Sequence, residues 1–173
     1  MLLRRVRRRM GIARRESLRA YIDMLRGNPE EVKLLAQDLL ISVTSFFRDP
    51  EAYDVLRTQV VPALIEAKQD DEPVRVWVPG CATGEEVYSV AIAVLEYFGD
   101  GLPPLRIQIF GTDVSVAALL KARAGVYPVN ALHEVWPERL GRFFVGQNGE
   151  YRISKDIRDL CLFARQDVIR DPP

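Results

Sequence analysis

Residues 75–91 read RVWVPGCATGEEVYSVA, and the change of pattern within them constrains the fold more than any other feature of the chain. A run rich in β-branched residues, Val74 to Val78, stops at Pro79-Gly80. After a short loop, apolar residues recur at helical spacing from Val87 to Phe98. A strand, a glycine turn and a helix in this order are typical of open α/β sheets, which bind ligands at that turn. The sequence therefore predicts an α/β fold with a ligand site beginning at Gly80.

The spacing within this loop indicates the kind of ligand it suits. The pattern is G-C-A-T-G rather than G-x-G-x-x-G, which argues against a pyrophosphate cradle. Gly80 lets the backbone come close to a ligand. Thr83 and Glu86 match a capping box, which leaves Glu85 either to complement the helix dipole or to meet a cation. A carboxylate at this position would attract an ammonium or a sulfonium group, and S-adenosylmethionine carries both.

The composition of the chain argues against several classes of protein. It has 173 residues, of which 48% are hydrophobic and 28% charged. No apolar run approaches the roughly 20 residues that a membrane span needs, so we expect no membrane insertion. Cys81 and Cys161 are far apart and follow no metal-ligand spacing, so we expect no metal and reduced thiols in the cytoplasm. The single histidine, His133, has no nucleophile partner in the sequence, which disfavours a Cys/His nucleophilic enzyme.

Charge is unevenly distributed along the chain. Residues 1–26 contain nine arginines against one glutamate and one aspartate, a net charge of +7, and the remainder carries −7. A basic helix of this kind predicts an anionic partner surface, and the alternative is a solvated helix face. Nucleic acid is the generic anionic partner, but few aromatic residues are interleaved with the arginines. We therefore expect no nucleic-acid binding.

Helix and strand signals predict two domains. Residues 1–68 are predicted to be all-helical, 69–73 to form an acidic linker, and 74–173 to form the α/β domain. Two consecutive β-α units in that domain imply a parallel sheet. A later segment contains a hairpin candidate around Asn148-Gly149. Three parallel strands would leave one edge and half a pocket open, so we expect the chain to be a fragment of a larger domain.

Other candidate site residues lie near the ends of the predicted strands and in an early segment. Asp113 ends the second strand, where a carboxylate can accept both hydroxyls of a ribose or cap the next helix. Asp167 follows the third strand, as a weaker signal. Residues 42–49, SVTSFFRD, interrupt a helical region with two phenylalanines that are typical of a core. Thr44 and Arg48 of this segment would share one side of a helix, and Arg48 could pair with a ligand carboxylate.

Four motifs, taken together, carry a resemblance to a known family. SVTSFFRDP, RVWVPGCATGEEVYS, IFGTDVS with KARAGVYP, and FARQDVIRDPP occur in this order. They are similar to those of the CheR family, the S-adenosylmethionine-dependent methyltransferases that esterify glutamates on bacterial chemotaxis receptors. The resemblance runs through nearly the whole chain. It implies a small all-helical N-terminal domain and an incomplete Rossmann-like methyltransferase domain, with a small β-subdomain inserted at 127–159.

The resemblance also implies contacts to S-adenosylmethionine and to its product, S-adenosylhomocysteine. Glu85 would hold the methionine amino group, Asp113 the ribose, and Asp167 would lie beside the adenine. The positions expected to bind the cofactor are Ser42 (where the family usually has asparagine), Thr44, Arg48, Gly80, Glu85, Asp113, Asp167 and Val168. No residue is assigned a catalytic role, because a glutamate substrate with an ordinary pKa of about 4.3 is already ionised at neutral pH.

The expected partner is the cytoplasmic helical region of chemotaxis receptors, bound through the basic N-terminal helix. The tight turn at Asn148-Gly149 favours family members whose β-subdomain does not bind a receptor's C-terminal peptide. Because the family continues beyond the position of Pro173, we expect this chain alone to be inactive. The alternative is a non-catalytic methyltransferase-like sensor or scaffold module of a multidomain signalling protein. The sequence indicates neither the receptor nor the oligomeric state.

Overall fold

The computed structural model describes residues 2–39, 44–67, 73–99 and 107–172, which fall into two compact units, Met1–Val43 and Thr44–Pro173. The described part of the first unit, residues 2–39, contains three helices: α1 (Leu2–Ile12), α2 (Leu18–Gly27) and α3 (Pro29–Leu39). Ser17 caps α2 by accepting a hydrogen bond from the Ala20 N–H at 3.2 Å. Pro29 begins α3, and Glu30 and Glu31 lie in its first turn.

A polar network joins the three helices of the first unit. Arg9 of α1 binds Glu31 of α3 in a fork, with Nε donating to Oε1 at 3.0 Å and Nη2 to Oε2 at 2.5 Å. The hydroxyl of Tyr21 on α2, whose side chain is fully buried, donates to Oε1 of the same carboxylate at 2.8 Å. Arg9 is therefore part of the interior, whereas Arg4, Arg7 and Arg8 remain exposed on α1.

The second unit is built on a parallel sheet. Its first helical segments are α4 (Pro50–Val55), a π-helical turn (Leu56–Val60) and α5 (Val61–Glu66). The elements that follow are β1 (Val74–Pro79), α6 (Glu85–Phe98), β2 (Ile107–Asp113) and α7 (Val116–Ala124). With β6 (Cys161–Arg165), the strand order is β1-β2-β6, all parallel. The predicted α/β fold with a parallel sheet is thus confirmed.

A second, antiparallel sheet lies between α7 and β6 in the chain. Its strands are β3 (Val126–Pro128), β4 (Phe144–Gln147) and β5 (Glu150–Ile153), in the order β3-β5-β4, with helices α8 (Pro137–Phe143) and α9 (Lys155–Leu160). The hairpin prediction is confirmed, because Gln147 pairs with Glu150 across a two-residue turn. Asn148 and Gly149 have φ values of 51° and 80°, the positive angles that a type I′ turn requires.

The division between the two units differs from the predicted domain boundary. The sequence placed α4 to α5 in an N-terminal helical domain ending at residue 68, whereas they belong to the unit that begins at Thr44. Their apolar side packs on the sheet: Leu56, Val61, Leu64 and Ile65 line a small apolar gap whose other walls are Val74, Val76, Val94, Phe98 and Ile107. An amphipathic pattern shows that a helix has a buried side but not which element covers it, so the boundary could not be placed from periodicity.

The two faces of the parallel sheet are covered unequally. On one face, Val74, Ile107 and Ile109 are buried with the apolar side of α6. On the other face, Trp77 and Leu162 are each 49% exposed, although parallel sheets are usually buried on both sides. Within the described residues, no helix is long and apolar enough to cross a membrane.

Candidate functional site

The loop between β1 and α6 adopts a conformation that needs glycine at two positions. Gly80 has a φ of 67°, and a Cβ built on it would meet no atom within 4 Å. Gly84 has a φ of 95°, and a Cβ there would lie 2.9 Å from the Cβ of Ala122. Gly80 therefore leaves open space beside the backbone, where a ligand can approach, and Gly84 allows α6 to start close against α7.

The capping box predicted from Thr83 and Glu86 is wrong. Gly84 occupies the N-cap position and makes no side-chain capping bond, so α6 begins at Glu85. The left-handed backbone at Gly84 removes Thr83 from the position that a capping residue must occupy. Its hydroxyl contacts Glu85 instead, while Glu86 is exposed in the first turn of the helix.

Glu85 presents a buried carboxylate at the start of α6. The residue is only 7% exposed, and the Oγ1 of Thr83 lies 2.8 and 2.7 Å from its two oxygens. A hydroxyl donates one hydrogen, and the carboxylate has about four acceptor sites. In the described part of the chain, Thr83 is the hydrogen-bond partner of this carboxylate. It therefore retains capacity for a cationic or hydrogen-bonding ligand.

Asp113 lies at the carboxyl end of β2 and contacts the same loop. Its Oδ2 accepts the Ala82 N–H at 2.9 Å, and its Oδ1 accepts the Ser115 N–H at 2.7 Å. The helix capping considered for Asp113 is performed by Ser115, which accepts from the Ala118 N–H at 3.3 Å. The carboxylate thus fixes the loop and the start of α7, and both oxygens have further lone pairs for a ligand hydroxyl.

The turn after β6 lies at the same edge of the sheet. The Gln166 N–H donates to the Asp113 carbonyl at 3.2 Å, which places Asp167 and Val168 beside the end of β2. Asp167 accepts the Ile169 N–H through Oδ1 at 3.0 Å and stabilises this turn. Val168 is more than half exposed and offers an apolar surface beside it.

The segment before α4 is attached to α6 by Ser89. The Phe47 N–H donates to the hydroxyl of Ser89 at 3.0 Å, and that hydroxyl donates to the Glu85 carbonyl at 2.7 Å. Phe47 is buried at a φ of 49°, a costly conformation for a bulky residue. Both phenylalanines belong to the core, as predicted, while Thr44 is half-buried and Arg48 exposed. Ser42 lies outside the described residues.

The ionisable groups of the loop contain no activated nucleophile. Burial, and secondarily the nearby Asp113 carboxylate, raises the pKa of the Cys81 thiol to about 12, so it remains protonated at neutral pH. His133 is exposed, and its Nδ1 contacts the Asn130 carbonyl. Among the described residues, no group of three or more His, Cys, Asp and Glu side chains is arranged to hold a metal ion.

Two residues of the site were not predicted from the sequence. Ser89 links the segment of Phe47 to α6, and Tyr127 of β3 donates to the Thr83 carbonyl at 2.7 Å. Ser89 lies four residues after Glu85 on α6, so helical spacing places it on the same face as Glu85. Tyr127 is 44 residues from Thr83, and only its position in the motif KARAGVYP marked it out.

A sizeable cleft in the second unit is separate from this loop. It measures ≈ 500 Å³ and lies between α4, the last turn of α6 and the segment around Trp136. A second cleft of ≈ 350 Å³ lies on the less covered face of the sheet and reaches Thr112 and Gln166 at the carboxyl edge. The carboxylates of Glu85 and Asp113 line neither cleft, so the candidate site is defined by its donors and acceptors rather than by cavity volume.

Family profiles match nearly the whole chain. Residues 1–40 match the all-alpha domain of CheR methyltransferases, and residues 42–173 match the domain described as CheR methyltransferase, SAM binding domain.

Similar proteins are found in several bacteria. An uncharacterized 104.1 kDa protein from the hypE 3' region of Rhodobacter capsulatus is 35% identical over 98% of this chain and 18% of its own length. Chemotaxis protein methyltransferase 2 of Pseudomonas aeruginosa is 32% identical over 95% of this chain and 58% of its own length. The chemotaxis protein methyltransferase of Salmonella typhimurium is 29% identical over 98% of this chain and 58% of its own length. The chain therefore spans less than two thirds of each of these relatives.

Proposed function

We infer the function from the premise that this chain belongs to the CheR methyltransferase family. The methyl donor of the matched domain is S-adenosylmethionine. We propose that a protein carrying this chain transfers the methyl group of S-adenosylmethionine to glutamate side chains of bacterial chemotaxis receptors in the cytoplasm. The observation that carries the proposal is the convergence of two carboxylates, Glu85 and Asp113, on one glycine loop at the carboxyl edge of a parallel sheet.

The residues present fit this cofactor. Among the residues that the structure describes, the buried carboxylate of Glu85 has one hydroxyl partner, Thr83, and it suits the ammonium group of the methionine part. Asp113 keeps lone pairs for the ribose hydroxyls after binding two backbone N–H groups. Gly80 leaves open space beside the loop. The remaining proposed contacts are Thr44, Arg48, Asp167 and Val168, together with Ser42, which lies outside the described residues.

These residues position the reactants and do not activate them. When bound, S-adenosylmethionine supplies an electrophilic methyl group on a sulfonium. A glutamate carboxylate is already ionised at neutral pH, so the protein needs no general base. The protein aligns the carboxylate nucleophile with the methyl carbon, and such alignment can lower the activation free energy by about 7–11 kcal/mol in well-oriented reactions. The protonated Cys81 is consistent with a site that binds and orients.

The proposed partner surface is the exposed basic face of α1. Arg4, Arg7 and Arg8 are exposed on this helix, within a segment of net charge +7. Opposite charge on a partner speeds association and fixes orientation more than it adds affinity. The relatives named chemotaxis protein methyltransferase support a chemotaxis receptor as the partner.

Calorimetry with S-adenosylhomocysteine tests the cofactor assignment. Glu85→Gln should weaken binding by about 1.5–3 kcal/mol, the scale of a hydrogen bond to a charged group. Glu86→Gln is the matched control, because its carboxylate is the next along the chain and is exposed. Equal affinity of wild type and Glu85→Gln would contradict the assignment.

Transfer of labelled methyl groups tests the reaction. The full-length protein, labelled S-adenosylmethionine and the cytoplasmic fragment of a receptor should give alkali-labile methyl esters on glutamates. Cofactor binding without transfer to any receptor of the source organism would favour a non-catalytic sensor or scaffold module instead.

A further inference from the structure

Tyr127, which belongs to the antiparallel sheet, directs a buried hydroxyl at the loop between β1 and α6, residues 80–84. This loop is called the cofactor loop from here on. The residue is 3% exposed and belongs to β3, in the small antiparallel sheet. Its hydroxyl donates to the Thr83 carbonyl at 2.7 Å. The side-chain hydroxyl of Thr83 lies 2.8 and 2.7 Å from the two oxygens of Glu85, to one of which it can donate at a time. One hydrogen bond therefore connects the antiparallel sheet to Thr83, the hydrogen-bond partner of the Glu85 carboxylate that is proposed to bind the ammonium group.

The surroundings of Tyr127 fix its hydroxyl in this position. Its ring contacts Phe46 edge-on at 4.9 Å between ring centroids and Tyr88 at 6.2 Å. A Cβ on Gly84 would lie 3.2 Å from the hydroxyl oxygen, so the glycine makes room for it. Burial, and secondarily the Glu85 carboxylate, raises the pKa of Tyr127, so the hydroxyl stays a neutral donor.

We propose that Tyr127 is a positioning residue of the cofactor site, which holds the Thr83 carbonyl and through it the orientation of the Glu85 carboxylate. The proposal rests on the proposed function for its ligand, but its effect on the loop does not require a ligand. It also gives the antiparallel sheet a role in the site, because β3 becomes one of the supports of the loop.

Tyr88 provides a matched control within the same core. It is 1% exposed, and its hydroxyl also donates to a backbone carbonyl, that of Ala122, at 2.6 Å. That carbonyl lies in α7 and outside the cofactor loop. Tyr88→Phe and Tyr127→Phe each remove one buried hydroxyl and one hydrogen bond, so their effects on melting temperature should be similar. Their effects on the loop should differ.

The first measurement is hydrogen exchange of the backbone amides of residues 81–86 in the full-length protein without ligand. Tyr127→Phe should speed exchange in this loop by about tenfold, the effect of losing one hydrogen bond of typical strength. Tyr88→Phe should leave it within about twofold of wild type. Unchanged exchange in Tyr127→Phe, or equal acceleration in both variants, would overturn the proposal.

The second measurement is the dissociation constant of S-adenosylhomocysteine. Tyr127→Phe should raise it by about tenfold and Tyr88→Phe by less than about twofold. In a Thr83→Val background the Tyr127→Phe change should have little further effect, because the two residues act in series on Glu85. If the affinity losses of Thr83→Val and Tyr127→Phe were additive in the double variant, the proposal that Tyr127 acts on Glu85 through Thr83 would be overturned. A wild-type protein that binds no cofactor would defeat the proposed function, while the exchange measurement would still decide the role of Tyr127.

Discussion

Asp113 combines a structural and a proposed binding role in one side chain. Its two oxygens accept N–H groups from Ala82, in the cofactor loop, and from Ser115, before α7. Loss of the carboxylate therefore affects the loop as well as the proposed contact to a ribose. An asparagine keeps one acceptor oxygen and the shape of the side chain, and so limits the structural part of the effect.

Asp113→Asn should weaken binding of S-adenosylhomocysteine by about 1–3 kcal/mol, because one charged acceptor is replaced by a donor. Asp156→Asn is the control, since Asp156 is an exposed aspartate in the first turn of α9 and belongs to none of the proposed cofactor contacts. Calorimetry on both variants should show a large loss for the first and little for the second. Similar affinities for the two variants would contradict the ribose assignment.

Sequence reasoning placed some residues of the site and missed others for identifiable reasons. Asp113 and Glu85 could be predicted because the carboxyl ends of adjacent parallel strands meet at one edge. The capping box failed because Gly84 adopts a left-handed conformation and takes the N-cap position itself, which the Thr83–Glu86 spacing does not reveal. Tyr127 could not be assigned, because a hydrogen bond between residues 44 apart leaves no local pattern.

At the scale of elements, the three helices of the first unit depend on one carboxylate. Hydrogen bonds from Arg9 lower the pKa of Glu31 from its ordinary value of 4.5, against the opposing effect of burial. Because its pKa is lower in the folded than in the unfolded state, Glu31 stabilises the fold above about pH 4.5. This contribution is lost as the pH falls through the folded-state pKa.

Glu31→Gln should destabilise the first unit at neutral pH by about 1–3 kcal/mol, because the buried guanidinium of Arg9 loses the nearer of its two carboxylate partners and keeps Asp38 at 4.0 Å. The difference in the free energy of unfolding between wild type and Glu31→Gln should narrow below about pH 4.5. Glu30→Gln is the control, since Glu30 is exposed and its ion pair with Lys33, at 3.9 Å, is exposed as well. Thermal unfolding from neutral pH to about pH 3 checks this, and a difference that does not depend on pH would exclude Glu31 as the titrating group.

The hairpin of β4 and β5 belongs to the same scale. Strand addition to an exposed edge needs room for the added backbone, and the Asn148-Gly149 turn is as short as a hairpin turn can be. We therefore expect no binding of a receptor's C-terminal pentapeptide to this sheet at high micromolar concentration. Fluorescence titration with the labelled pentapeptide measures this, and low-micromolar affinity would show that the edge of β4 is available.

Elements with a strong local pattern were predicted well, and those defined by packing were not. β1, the hairpin and α7 follow from alternation, turn chemistry and helical spacing. The three-residue strand β3 was missed, because its pairing with β5 is visible only after the chain folds back. β6 begins at Cys161, directly after α9 ends at Leu160.

At the scale of the whole molecule, charge is separated along the chain. Residues 1–26 carry +7 and the remainder −7, and Arg4, Arg7 and Arg8 form an exposed face on α1. An acidic partner would be attracted to this face most strongly at low salt. At 0.1 M ionic strength the attraction is already screened beyond a Debye length of about 10 Å.

Replacing Arg4, Arg7 and Arg8 with glutamate should slow receptor methylation severalfold at low salt and leave the dissociation constant of S-adenosylhomocysteine unchanged. The difference in methylation rate between this variant and wild type should shrink as salt is added. The control reverses three exposed positive charges of the second unit, Lys121, Arg152 and Lys155. Equal methylation rates of the α1 variant and wild type at low salt would assign the arginines to solubility.

The less covered face of the parallel sheet gives the molecule an optical reporter. The indole of Trp77 is half exposed there and is held by a hydrogen bond from Nε1 to the hydroxyl of Thr112 at 2.9 Å. Indole emission shifts to shorter wavelength when water leaves its surroundings. Once Trp136, the other tryptophan, is replaced by phenylalanine, the emission wavelength of Trp77 reports whether this face is hydrated, without any added dye.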